Sequence, residues 1–194
     1  MATTSIILAS SSPYRRELLQ RLGIPFESWA PEVDESPLRS EPPRVTAVRL
    51  ARTKAAAGAR KFPKAWIIGS DQVADLDGRS IGKPGTLENA RRQLRDVSGH
   101  SVFFHTALCV CNGRLERTHE RLVTTEVGFR RLTDAEIERY LEREPALDCA
   151  GSAKSEGLGI SLLSRLHGED PTALVGLPLI ALAAILRAEG FELP

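Results

Sequence analysis

The run Ala65-Trp-Ile-Ile-Gly-Ser-Asp-Gln-Val-Ala-Asp-Leu-Asp-Gly-Arg-Ser-Ile-Gly-Lys83 decides the fold. It opens as a buried strand, because Trp66, Ile67 and Ile68 are consecutive apolar residues of high β-propensity, and it reaches Asp71 where the apolar run breaks. Asp77-Gly78 is a hairpin signal that turns the chain back through Arg79 to Lys83. Ligands in open α/β sheets bind beyond the carboxyl ends of strands, so an acid at the end of such a run is hard to explain as surface decoration.

Upstream, residues 5–9 form a short apolar strand, and Ser10-Ser-Ser-Pro13 leads into a helical pattern from Tyr14 to Leu22. Ser12 is the expected N-cap, with Pro13 at the first helical position. Phe26 to Trp29 is a second short strand, and the irregular stretch from Pro31 to Pro43 carries Glu32, Asp34 and Glu35. A helix from about Arg44 to Lys61 follows, its apolar arc running through Ala47, Val48, Leu50, Ala51 and Ala55. Lys54 projects into that arc and needs an anion, whereas Arg49, Arg52 and Arg60 fall on the side expected to face solvent.

Downstream, Thr86 to Val97 is helical, and strands from Ser101 to Val110 and from Val123 to Phe129 are joined across Asn112-Gly113. Thr133-Asp-Ala-Glu136 is a capping box opening a helix to Arg143. Ala150 to Gly159 is small, polar and glycine-rich, and Leu177 to Arg187 closes the chain as an apolar helix. Helices alternate with strands and two hairpins intrude, which predicts an α/β class with a mixed, twisted sheet. One domain over residues 1–194 is expected, with two lobes about a cleft and no linker.

The composition narrows the function. The 194 residues are 42% hydrophobic and 26% charged, which excludes a disordered, collagen-like or coiled-coil chain. A net charge of +1 provides no global field for a nucleic acid or an anionic membrane, so any phosphate recognition is local. Three cysteines cannot make a disulfide framework. Cys109 and Cys111 fall on one face of a strand and are expected to be buried reduced thiols of a cytoplasmic protein. The stretch Met1 to Ala9 has no basic region and only a very short apolar one, unlike a secretory leader. The apolar run Ala173 to Leu186 is interrupted by Gly176 and Pro178 and falls short of the roughly 18 residues of a membrane span. His100, His105, His119 and His167 make no pair at metal spacing.

Three clusters carry chemistry. Ser10 to Arg16 brings hydroxyls, free amide groups and two guanidinium groups to a helix start, which is either an anion site or a plain N-cap with surface arginines. Its lack of glycine separates it from a Walker loop. Asp34, Glu35 and Asp71 are candidates to hold a hard divalent cation, since Mg²⁺ takes one or two carboxylates and leaves its other positions to water and phosphate. Lys83, in Gly82-Lys-Pro84, is either a phosphate contact or a surface lysine. Local cations beside local carboxylates under near-zero net charge are the pattern of a metal-dependent site for a phosphorylated small molecule.

Seven segments, in order along nearly the whole chain, then resemble a known family. They are Leu8-Ala-Ser-Ser-Ser-Pro-Tyr-Arg-Arg-Glu-Leu-Leu19, Pro31-Glu-Val-Asp-Glu35, Arg49-Leu-Ala-Arg-Thr-Lys-Ala55, Ile68-Gly-Ser-Asp-Gln-Val73, Gly82-Lys-Pro84, Cys149-Ala-Gly-Ser-Ala-Lys-Ser-Glu-Gly157 and Val175-Gly-Leu-Pro178. Together they are similar to the Maf family of nucleoside triphosphate pyrophosphatases. The resemblance implies an elongated, two-lobed fold like that of the inosine triphosphate pyrophosphatases, in a cytoplasmic homodimer that acts on nucleotides with a divalent metal such as Mg²⁺ or Mn²⁺. By the same resemblance Ser10 and Arg15 contact phosphates, Glu35 and Asp71 hold the metal, Lys54 and Lys83 neutralise the triphosphate, and Asp71 accepts the proton of the attacking water.

Family members that act on dTTP and UTP resemble Ser-Pro-Arg-Arg, Asp-Thr and Gln-Gly at places where this chain has Tyr14, Gln72 and Glu156. These three resemble instead the YceF-like subgroup, which hydrolyses 7-methyl-GTP, although that subgroup is expected to carry Trp at position 14. An aromatic face gains about 0.5–2 kcal/mol from a base made cationic by N7-methylation, with Tyr a poorer partner than Trp. A carboxylate at Glu156 can accept from the guanine N1–H and amine together. The alternatives are a dTTP/UTP or broad-specificity pyrophosphatase, and a nucleotide-binding regulator of septum formation.

Overall fold

The computed structural model describes residues 5–194, and the first four residues of the stretch compared with a leader lie outside the described residues. Strands β1 (Ile6–Ala9), β2 (Glu27–Trp29), β3 (Trp66–Leu76), β4 (Arg79–Ile81), β5 (Ser101–Asn112), β6 (Arg117–Phe129) and β7 (Leu163–His167) form one sheet. Helices α1 (Pro13–Gln20), α2 (Pro43–Lys61), α3 (Leu87–Val97), α4 (Asp134–Arg143) and α5 (Leu179–Ala188) surround it. The strand order is β2-β1-β3-β5-β6-β7, with β4 also on β3; β1 pairs parallel with β2 and β3, and the other pairings are antiparallel. This is the expected α/β class with a mixed sheet.

Strand β3 organises the molecule. β5 follows one of its edges from Ile67 to Asp75. On the other edge β1 pairs with Trp66 to Ile68 and β4 with Ala74 to Leu76. Residues 69–73 of that edge therefore meet neither strand, and the two faces of the sheet can communicate there.

Two hydrophobic clusters cover the first half of the sheet. Ile6, Leu8, Trp66 and Ile68 pack with α1 and α5 on one face, and Ile7, Ile67, Cys109 and Cys111 pack under α2 on the other. A third cluster, built on Ala74, Leu76, Phe104 and Val127 with α3 and α4, fills the second half. Between these cores β3 and β5 place polar side chains, Ser70, Asp71 and Thr106, all buried.

Local signals account for most boundaries. The Ser12 hydroxyl caps α1 above Pro13, Thr86 caps α3, and Thr133 and Glu136 form the complete capping box of α4. Two expectations are corrected, and one strand is added. Asp71 is not at a strand end: β5 continues the ladder past it, opposite Ala107, so the acid sits mid-strand where β1 has already stopped. β6 begins at Arg117 rather than Val123, because the hairpin ladder continues through exposed polar residues to the Asn112–Arg117 pair. β7 went unseen in the sequence, since four of its five residues are exposed and show no apolar alternation. Among the described residues no helix is long and apolar enough to cross a membrane.

Candidate active site

The site begins with a close approach of helix to strand. A Cβ at Gly69 would lie 2.4 Å from the Ala51 carbonyl oxygen and 2.7 Å from the Ala55 amide, so only glycine lets α2 lie this near β3. That contact brings the buried face of α2 over the next residue on the same face of the strand. The Lys54 ammonium donates to Asp71 Oδ1 at 2.6 Å and lies 2.8 Å from Glu35 Oε1. The Lys54 and Asp71 side chains are 6% and 9% exposed, whereas Glu35 is 58% exposed, so a buried ion pair opens to solvent on the Glu35 side. The anion that the helical pattern demanded for Lys54 is therefore Asp71.

Glu35 is placed by residues the sequence did not single out. Glu41 binds Arg49 of α2 (Nε to Oε1, 2.7 Å) and accepts from the Leu38 amide and the Thr46 hydroxyl, while Arg49 also donates to the Ser36 carbonyl. The Arg49 hydrogen bond pulls the Glu41 carboxyl down to about 2 against the opposing effect of burial. Arg49 is thus not the solvated cation expected, whereas Arg52, paired with Glu120, and Arg60 are exposed as expected. Asp34 caps the turn at Ser36 (2.9 Å) and is exposed.

On the opposite face, the β1–α1 turn meets the β7–α5 segment. Ser10 Oγ accepts from the Ser12 amide at 3.1 Å and from Arg15 Nη1 at 3.4 Å. Arg15 Nε donates to the Gly176 carbonyl at 2.8 Å, and the Ser70 hydroxyl donates to the same oxygen at 3.0 Å. Gly176 has φ near +120°, which L side chains rarely adopt. Burial lowers the Arg15 pKa, and the charges of Asp71 and Glu35 oppose that shift. Arg15 therefore feels the acids of the other face across the unpaired stretch of β3.

Tyr14, Gln72 and Glu156 line one pocket, with Phe104, Lys154 and Leu174 among its other walls. The Tyr14 hydroxyl donates to Asp148 Oδ2 at 2.7 Å. Gln72 Nε2 lies 2.9 Å from Thr106 Oγ1 and from the carbonyls of Ala173 and Leu174, so its amide oxygen is the part left to meet a ligand. Glu156 stands exposed at the rim. Lys83 is exposed on the loop after β4 and makes no ion pair among the described residues, so it is not drawn into the Asp71 cluster. Its loop is tied to the pocket by Gln93, whose amide donates to the Gly82 carbonyl (3.0 Å) and accepts from Ser152 (2.6 Å). No periodicity signal could have found Gln93, because its partners lie in two loops distant in sequence.

A divalent cation fits Glu35 and Asp71. Both are hard oxygen donors already converging on one cation, the Lys54 ammonium, through one oxygen each. Among the described residues no cluster of three or more histidine, cysteine or acidic side chains offers an all-protein metal cage. His105 is engaged by Asp75 and Thr124, and His119 by Glu189.

Comparison with known proteins agrees with this architecture. The model of a family described as "Maf-like protein" matches residues 5–189. A protein of Xanthomonas oryzae pv. oryzae (strain MAFF 311018) named 7-methyl-GTP pyrophosphatase is 59% identical over 97% of this chain and 98% of its own. One of the same name from Aromatoleum aromaticum is 56% identical over all of both chains. Among solved structures, the Staphylococcus aureus Ham1 protein superposes with a TM-score of 0.54 at 14% identity, covering 96% of this chain and 100% of that one. A HAM1 protein from Coxiella burnetii gives 0.52 at 17% identity with the same coverage. At such identities the likeness is one of fold.

Proposed function

The chain belongs to the Maf-like protein family, and from that premise we propose that it hydrolyses the α–β phosphoanhydride of 7-methyl-GTP, releasing 7-methyl-GMP and pyrophosphate. One observation carries the reading. The charged cluster of Lys54, Asp71 and Glu35 and the pocket of Tyr14, Gln72 and Glu156 lie on opposite faces of β3, and Asp71 and Gln72 are neighbours within its unpaired stretch. A nucleotide laid across that stretch has its phosphates at one and its base at the other.

Asp71 accepts the proton of a water that adds to the α-phosphorus, while the bridging oxygen leaves with pyrophosphate. Its Oδ1 is held by Lys54, which orients the carboxylate and leaves Oδ2 for the water. Lys54, Arg15 and Lys83 provide positive charge for the phosphoryl oxygens, and Ser10 a hydroxyl. Glu35 and Asp71 would hold a divalent cation such as Mg²⁺ or Mn²⁺. Such a cation, when bound, supplies Lewis-acid stabilisation of phosphoryl charge. Tyr14 offers the base a face, and Glu156 an acceptor for the guanine N1–H and amine.

The test is pyrophosphate release from 7-methyl-GTP, GTP, UTP and dTTP with Mg²⁺ or Mn²⁺, compared as kcat/KM. Preference for 7-methyl-GTP is the expected result. Preference for UTP or dTTP would remove the substrate assignment and keep the reaction, and binding without turnover would point to a nucleotide-sensing regulator. The same reading makes the enzyme a cytoplasmic homodimer, which light scattering of the purified chain checks for the oligomer.

A further inference from the structure

The pocket assigned to the base contains a charge that the proposed reaction does not use. Of its lining residues only Lys154 and Glu156 are charged. The Lys154 ammonium lies 5.5 Å from the centroid of the Tyr14 ring, within the range where the ring quadrupole attracts a cation. It is also 3.2 Å from Asp148 Oδ1, and the other oxygen of that carboxylate accepts the Tyr14 hydroxyl at 2.7 Å. Lys154, Asp148 and Tyr14 therefore close a ring of contacts at the edge of the pocket.

The segment is held from behind as well. The Lys154 amide donates to the Tyr140 hydroxyl of α4 at 3.2 Å, and the Gly159 amide donates to Glu144 at 3.1 Å. Only 21% of the Lys154 side chain is exposed, against 54% for Asp148. The backbone that carries this ammonium is thus anchored, and its charge belongs to the pocket wall.

We propose that Lys154 is a specificity-determining residue that opposes selection of the N7-methylated base, because its positive charge stands over the Tyr14 ring whose face that base would use. The inference rests on the assignment of this pocket to a guanine base. Neutral guanine presents O6 and N7 as acceptors, both able to take a hydrogen bond from an ammonium. N7-methylation removes one acceptor and adds positive charge, so the methylated base meets a like charge where the unmethylated base meets a donor. Moving Lys154 off the ring costs both nucleotides the same, since they start from the same free enzyme. The change in the ratio of their specificities when Lys154 is replaced therefore reports what Lys154 does to each bound base. Asp148 limits the penalty by giving the ammonium a partner away from the ring.

The test compares the parent with Lys154→Met, which keeps the apolar stem and loses the charge, and Lys154→Arg, which keeps the charge. The ratio of kcat/KM for 7-methyl-GTP over GTP is measured alongside calorimetric binding of 7-methyl-GMP and GMP. Lys154→Met raises both ratios by about two- to fivefold, and Lys154→Arg leaves them near the parent values. Ratios equal to or below the parent's in Lys154→Met overturn the proposal, with Lys154→Gln carrying the same comparison should the methionine variant not fold. If the parent hydrolyses neither triphosphate, the assigned reaction fails by itself, and the monophosphate binding ratio still decides the role of Lys154.

Discussion

Asp71 and Gln72 are consecutive in β3 and face opposite sides of the sheet: Asp71 binds Lys54 of α2, while Gln72 binds Thr106 and the carbonyls of Ala173 and Leu174. The alternation of a β-strand thus puts the charged cluster on one face and the amide that lines the pocket on the other. Asp71→Asn should lower kcat by about 10²–10⁴-fold, the usual contribution of a positioned general base, and leave the preference in binding 7-methyl-GTP over GTP unchanged. Single-turnover rates and calorimetry check the two halves, and undiminished kcat in the variant would remove Asp71 as the proton acceptor.

The Lys54–Asp71 pair is buried, so its two ends are not equivalent to surface charges. Lys54→Met strands the Asp71 carboxylate without its cation and should destabilise the fold by about 3–5 kcal/mol. The double variant with Asp71→Asn should recover part of that loss, because it removes the orphaned charge. Urea unfolding of the two single variants and the double gives the coupling, and strictly additive losses would contradict it.

Gly69→Ala tests how the helix is seated. The added methyl meets the Ala51 carbonyl and Ala55 amide at distances that backbone cannot yield, so α2 must back away from β3. A loss of about 1–3 kcal/mol is expected from such overpacking. Turnover should fall as well even where the protein remains folded, since Lys54 moves with the helix. Thermal unfolding and activity at a temperature well below the midpoint separate the effects.

Glu41 ties the segment bearing Glu35 to α2 through Arg49, and its folded pKa of about 2 lies below the ordinary value of 4.5. A depressed carboxylate stabilises the fold above its unfolded value and loses that contribution as pH falls toward the folded one. The parent should therefore lose stability between about pH 4.5 and 2 more steeply than Glu41→Gln, in which this group no longer titrates. Urea midpoints across that range check the slope, and parallel profiles would show that the Glu41 contact does not form in solution.

Much of the site was legible because its signals are local. Lys54 stood out as a cation on an apolar helical arc, and the caps at Ser12 and Thr133 were written in adjacent residues. Arg49 was misjudged because its partner Glu41 lies in the loop before the helix, outside the helical pattern that sorted its faces. Lys154 and Asp148 sat within or beside a motif whose spacing said nothing of Tyr14, more than 130 residues away. Lys83, which the sequence left open between a phosphate contact and a surface lysine, is exposed on its loop.

The sequence by itself determined the class of fold and the order of every element but β7, since hydrophobic period, caps and turn residues act over a few positions. Only the tertiary structure decided that Asp71 lies mid-strand, that residues 69–73 of β3 have no strand on one edge, and that Lys154 stands over Tyr14. The physical reason is the range of the forces: a strand's own residues set its alternation, but where a neighbouring strand stops, and which side chains meet around the pocket, depends on pairings between segments far apart in the chain.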